Sequence, residues 1–265
     1  MLRQGLQKPQ GPIYVRDLEH IETLTILADT HVYINESSPH TWTSPSSGNH
    51  YYTVDGTDYY DRGSISSLQD LMWLRNLRDL TLDANHISDL SPLAGCTALR
   101  TLALNLNDIS DISPLAALPE LESLALRYNS IQEIELVGRM VGLTYFGISE
   151  NQVQDVSPLK TLTNLENLNL WNNQITDISA LAPLVNLKQL RISDNRISDI
   201  SALSGMEQLT YLSISNNQIH DVSPLSSLKQ LETLHTSGNY ITDWSPLSHL
   251  GENVITGQAS QNTAS

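Results

Sequence analysis

The sequence predicts an α/β solenoid, a stacked coil with a parallel sheet along one side and short 3₁₀ or helical turns along the other. Three observations carry this prediction. Asparagine recurs at Asn85, Asn107, Asn129, Asn151, Asn173, Asn195, Asn217 and Asn239, every interval being 22 residues. Apolar residues keep the same beat: Leu77, Leu80, Leu82, Ile87, Leu90, Leu93 and Cys96 return as Leu99, Leu102, Leu104, Ile109, Ile112, Leu115 and Leu118. Most asparagines are followed by DLSPL, DISPL, DVSPL or DISAL. A fixed period of this length marks a repeat architecture, in which no single turn buries its apolar face and stacking closes each face against its neighbours.

Each element has a local reason. Leu80-x-Leu82 alternates with period two, which is a short strand with one buried face. One such strand per turn would stack in parallel at a spacing of about 4.8 Å. In DISPL the serine is placed to cap a short turn, with proline or alanine at its first position. The asparagine follows a tight corner that leaves backbone groups facing inward, and a short amide supplies both the donors and the acceptor those groups need. An acidic residue stands four places further on, at Asp89, Asp111, Glu133, Asp155, Asp177, Asp199, Asp221 and Asp243. Bonding to the backbone of the following turn suits it better than cation binding, since one carboxylate per turn cannot gather the roughly six to eight oxygens of a calcium site.

Departures from the period divide the chain. Residues 1–27 form an N-terminal cap segment and first strand, with Leu24-x-Ile26 as the strand pair. Residues 28–62 interrupt the first turn. In them HYYTVDGTDYY reads as a hairpin on Asp55-Gly56, and TWTSPSSGN as a loop. This insertion, rich in Tyr33, Trp42, Tyr51, Tyr52, Tyr59 and Tyr60, is either a flap over the open end of the core or a binding loop. Repeats fill 63–250. The turn EIELVGRM lacks Ser-Pro and is expected to differ in local shape, Thr236 takes a core position, and Trp244 could lid the last coil. The polar tail 251–265 is expected to fray.

The pattern LxxLxLxxNxIxDISPL resembles the 22-residue leucine-rich repeat of bacterial internalin-type proteins over roughly residues 63–250. KPQGPIYVRDLEHIETLTI (8–26) resembles the segment that leads from a helical cap into the first strand of those proteins. The resemblance implies a curved solenoid that binds other proteins on its concave sheet.

Composition narrows the function classes. Apolar residues make up 40% of the 265, and 14 basic against 29 acidic residues give a net charge of −15. Such a chain repels phosphate backbones, so nucleic acid is not an expected partner. The single cysteine, Cys96, excludes an internal disulfide and lies in a core column with Leu118, Leu162 and Leu184. No run approaches the roughly 18 apolar residues of a membrane span, so membrane insertion is not expected. MLRQGLQKPQGPIY lacks a signal-peptide core, which predicts a cytoplasmic protein, or a secreted or cell-surface one if the N-terminus is truncated. There is no HExxH, paired Cys/His spacing, GxSxG, Walker loop or GxGxxG, and Asp55, Asp58 and Asp61 do not fit an EF-hand. No metal, cofactor or enzymatic activity is expected.

With Leu80 and Leu82 inward, positions 79, 81 and 83 and their 22-residue successors point to the concave face. The middle coils break its small, polar character. Ala103, Ala125 and Gly147 make a low floor, and Tyr145, Trp171, Arg127 and Arg191 stand around it, with Tyr128 and Tyr211 nearby. Trp, Tyr and Arg dominate interface energetics, so these six are the candidate partner-binding residues. The plainer reading of Trp171 is a surface aromatic shielding Gly147. The expected function is a non-catalytic, monomeric module that binds a protein or peptide on the concave sheet. Its alternatives are an exported internalin-like adhesin for a host surface protein, or an intracellular regulatory subunit of an enzyme such as a phosphatase.

Overall fold

The computed structural model describes residues 20–27, 31–35, 41–43, 51–54, 57–59, 62–251 and 253–262. Most of segment 8–26, the Asp55-Gly56 turn, and Tyr60 and Asp61 lie outside these residues, as do the side chains of Trp42, Tyr51, Tyr52, Asp58 and Tyr59. One strand per turn runs along the coil: β6 (Asp79–Thr81), β7 (Thr101–Ala103), β8 (Ser123–Ala125), β9 (Tyr145–Gly147), β10 (Asn167–Asn169), β11 (Gln189–Arg191), β12 (Tyr211–Ser213) and β13 (Thr233–His235). All pair in parallel with the 22-residue offset, aligning Leu80, Leu102, Leu124, Phe146, Leu168, Leu190, Leu212 and Leu234 in one buried row. The first coil's strand is β1 (Thr23–Leu27), with Leu24 opposite Leu80, and β2 (His31–Ile34) closes that edge antiparallel to it. There Asn35 accepts the Glu22 and Thr23 amides at 2.8 and 3.1 Å and donates to the His20 carbonyl.

A second, small sheet comprises β3 (Thr41–Thr43), β4 (Tyr51–Val54) and β5 (Thr57–Tyr59), all antiparallel, with Val54 opposite Thr57. Thr41–Thr43, expected in a loop, is a strand. Its β-branched and aromatic residues suit a pleated strand, and the turn formers begin only at Ser44.

Opposite the strands, every described helical turn is 3₁₀, such as Ser91–Gly95 with Leu93 fully buried. The capping differs from the expected one. Serine is the first residue of the turn, and its hydroxyl does not cap it. The aspartate two residues earlier accepts the serine amide instead, at 2.8 Å from Asp89 to Ser91 and 2.7 Å from Asp155 to Ser157, and the pattern recurs to Asp243 and Ser245. A carboxylate is the stronger acceptor and reaches the free first-turn amide from outside the turn. The turn Glu135–Arg139 in EIELVGRM has the same shape as the rest, because buried Val137 fills the leucine position and keeps the bonds Val137 N to Ile134 O and Met140 N to Val137 O.

The corners hold the asparagine ladder. The Asn173 carboxamide accepts the Val153 amide at 3.0 Å and donates to Ile148 O, Leu170 O and Trp171 O at 3.0–3.3 Å. Its counterparts repeat this, including the buried Asn195 and Asn217. The residue before each asparagine from Asn85 to Asn239 has positive φ, and only the last of these residues is glycine, Gly238. The tail does not fray where it is described. Strand β14 (Ile255–Thr256) pairs with β13, Thr236 Oγ1 donates to Thr256 O, and Gln261 takes the ladder position, accepting the Ile241 amide and donating to Thr236 O. Trp244 is half-buried against the core.

Candidate functional site: an arginine and aromatic patch on the concave sheet

The first two concave columns face out as the pleat requires, and their residues are mostly half-exposed. The third does not follow. Asp83, Asn105, Ser149 and Ser193 are buried, because the strands end at positions such as Thr81 and the chain then turns the corner. Inside it, Asp83 accepts the Asn105 amide at 2.6 Å and Asn105 accepts the Arg127 amide at 2.8 Å.

Large side chains in this column rise out of it. Arg127 reaches across coils to place its guanidinium 4.6 Å from the Tyr128 ring centre and 5.2 Å from that of Trp171, distances at which the ring face attracts a cation. Trp171 is half-buried, and its indole N–H donates to Asp194 of the next coil. Tyr128 sits in the positive-φ corner, and its hydroxyl meets Arg127 at 3.4 Å. Burial first, and its hydrogen bond to Glu150 second, push the Tyr128 phenol up to about 12. These three residues form one cluster.

Arg191 and Tyr211 form a second, with the guanidinium 4.3 Å from the ring centre. Arg191 also donates to Gln189 at 3.2 Å, and Tyr211 meets His235 edge-on at 5.5 Å. Tyr145 lies between the clusters. Burial raises its phenol above the ordinary tyrosine value, while Arg191 and Arg127 both pull the other way, so it senses both cations. Its ring lies over Gly147: a Cβ there would stand 2.7 Å from the tyrosine hydroxyl. Tyr145 therefore shields that glycine.

Residues 75–117, 141–183, 163–205, 185–222 and 207–249, together more than half of the chain, match the family model described as Leucine Rich repeats (2 copies). Internalin C2 of Listeria monocytogenes is 34% identical over 67% of this chain and 78% of its own, with a TM-score of 0.64. The chain belongs to the internalin-type leucine-rich repeat family.

A second internalin of that organism, internalin F, is 27% identical and covers 100% of this chain and 94% of its own at a TM-score of 0.61. The leucine-rich repeat ectodomain of the plant receptor kinase GASSHO1 from Arabidopsis thaliana, solved in complex with CASPARIAN STRIP INTEGRITY FACTOR 2, shares the fold at 23% identity, over 72% of this chain and 25% of its own, with a TM-score of 0.63. No curated protein matches the chain. Leucine-rich repeat proteins, internalins among them, typically mediate protein–protein interaction.

In this internalin-type coil, sequence reasoning missed the groups that hold the patch. Glu150 and Asp194 occupy the corner column just before the ladder asparagine, and they accept from Asn172 and Asn216 of the next coil. The alternation of acid and amide at Glu150, Asn172, Asp194 and Asn216 was a usable signal. Among the described residues no three His, Cys, Asp or Glu side chains converge to hold a metal, and no helix is long and apolar enough to cross a membrane. Cys96 is fully buried, and burial raises its thiol pKa.

Proposed function

We propose that this internalin-type repeat is a non-catalytic, monomeric recognition module that binds a protein or peptide partner on its concave sheet through Tyr145, Trp171, Arg127, Arg191, Tyr211 and Tyr128. The observation that carries the reading is preorganisation. Arg127 is held over two rings, Trp171 is tied to Asp194, and Arg191 is held over Tyr211, all on a sheet braced by the ladder. Side chains already ordered lose little freedom when a partner arrives, so more of the contact energy appears as affinity. Crosslinking and affinity capture with wild type and the Trp171→Ala/Tyr145→Ala double variant tests it. Capture lost in a variant that melts like wild type is the expected result, and equal capture would remove the patch.

Kinship with the internalins favours an exported form of this module that binds a host surface protein over the cytoplasmic placement expected from MLRQGLQKPQGPIY. Fractionation of producing cells separates the two. Protein held entirely in the cytosolic fraction would exclude export.

A further inference from the structure

The concave face has its own charge balance. Although the chain carries 29 acidic residues, the three columns from Thr101 to Ser237 contain no carboxylate and two arginines. Four cations elsewhere are paired, Arg78 with Glu22, Arg100 with Glu122, Lys188 with Glu166, and Arg62 with Asp108, while others such as Arg75 and Lys160 have no carboxylate within ion-pair distance among the described residues. Arg191 is set apart by being held in place by neutral groups. Its guanidinium faces the Tyr211 ring and donates to the neutral Gln189, and among the described residues no carboxylate pairs with it. The nearby corner acids are engaged, Glu150 with Asn172 and Tyr128, and Asp194 with Trp171 and Asn216. A guanidinium fixed in orientation is a ready fork for a planar carboxylate.

We propose that Arg191, framed by Tyr145, Tyr211 and Gln189, receives a single aspartate or glutamate side chain from an extended segment of the protein partner. The proposal rests on the concave-surface reading above and names the chemistry that surface selects. The net charge of −15 does not oppose it at close range. At physiological salt, charges beyond about 8 Å are largely screened, so the local face decides. The same net charge disfavours a polyphosphate backbone, whose repeated charges would meet the acidic flanks.

A randomised peptide library on phage, selected against wild type, Arg191→Gln and Trp171→Ala/Tyr145→Ala, tests it. The expected wild-type pool is enriched in Asp and Glu. A peptide synthesised from that pool binds Arg191→Gln about tenfold more weakly. The same peptide with its acid changed to the amide loses a similar factor on wild type and nothing further on Arg191→Gln. That amide comparison on wild type needs no protein variant, so a folding defect in Arg191→Gln leaves a decisive reading. An empty pool, a pool without acids, or an acid whose loss costs nothing would overturn the proposal. A non-acidic pool that still depends on Trp171 and Tyr145 would retire the carboxylate alone, and a pool indifferent to both would retire the concave surface as well.

Discussion

Replacing Asn173 by alanine tests the physical basis of the coil at its middle. Asn173 accepts the Val153 amide and donates to three carbonyls. The carbonyls keep other donors: Ile148 O has Asn151 Nδ2 at 3.1 Å, Leu170 O has Asn195 Nδ2 at 3.0 Å, and Trp171 O has the Glu150 amide at 2.9 Å. The Val153 amide has no second acceptor among the described residues. A buried donor left unsatisfied costs about 1–3 kcal/mol, and three weakened carbonyls add roughly 1 kcal/mol, giving about 2–4 kcal/mol. For a chain of this size that lowers the melting temperature by roughly 5–15 °C. Long stacks can lose two-state behaviour, so the midpoint of a melt followed by circular dichroism is the readout, with exposed Gln152→Ala as the control. An Asn173→Ala midpoint that moves no further than the control would show that the ladder amide is not needed to satisfy the corner.

Four other outcomes follow from the same geometry. Hydrogen bonds from serine hold four cap aspartates below the usual carboxylate value of 3.8, the amide being the larger cause at Asp177, Asp221 and Asp243 and the hydroxyl at Asp89. Their stabilisation is complete above that value and is lost as pH falls through the lower folded value. The melting temperature should therefore drop below about pH 4, and drop less steeply in a fourfold Asp→Asn variant. Alanine at Gly147 meets only the tip of Tyr145 and should lift that ring for under about 1 kcal/mol, read as a near-ultraviolet dichroism change. Alanine at Gly138 would stand 2.8 Å from the Pro158 carbonyl of the next coil and should cost about 1–3 kcal/mol in a urea melt. The Tyr128 phenol, raised to about 12, favours the folded state below pH 10 and loses that contribution as pH rises through 12, so Tyr128→Phe should remove a step near that pH from a spectrophotometric titration.

The strand row from Leu80 to Leu234 was legible because stacking turns a sequence interval directly into a neighbour in space. The third concave column was not. Leu80-x-Leu82 reads as a strand that continues to position 83, but the strand ends at Thr81, and although Ala84 N still donates to Asn105 O of the next coil, positive φ at Ala84 turns the chain, which buries Asp83. Period alone does not show where a pleat gives way to a corner. The tail was missed for a related reason. Ile255 pairs with Leu234 at an interval of 21, and Gln261 replaces the expected asparagine, so the beat weakens while the bonding persists. The six patch residues were legible as types in columns, but their grouping was not. It depends on side-chain reach between coils, as when Arg127 meets Trp171 two coils away.

That reach explains how one scaffold carries a specific surface. The core row and the asparagine ladder lie on the inner side of the strands and hold each coil to the next with nearly the same bonds every time. None of those bonds uses the side chains of Tyr145, Trp171, Arg127 or Arg191. The patch is joined instead by its own bridges between coils, Arg127 to Trp171, Trp171 to Asp194, and Arg191 to Tyr211. Exposed contacts of this kind add little to stability. Their effect is to fix the direction of side chains that would otherwise be free. A repeat scaffold can therefore exchange patch residues coil by coil without weakening its spine, and the residues it holds in place at some entropic cost mark the surface most suited to a partner.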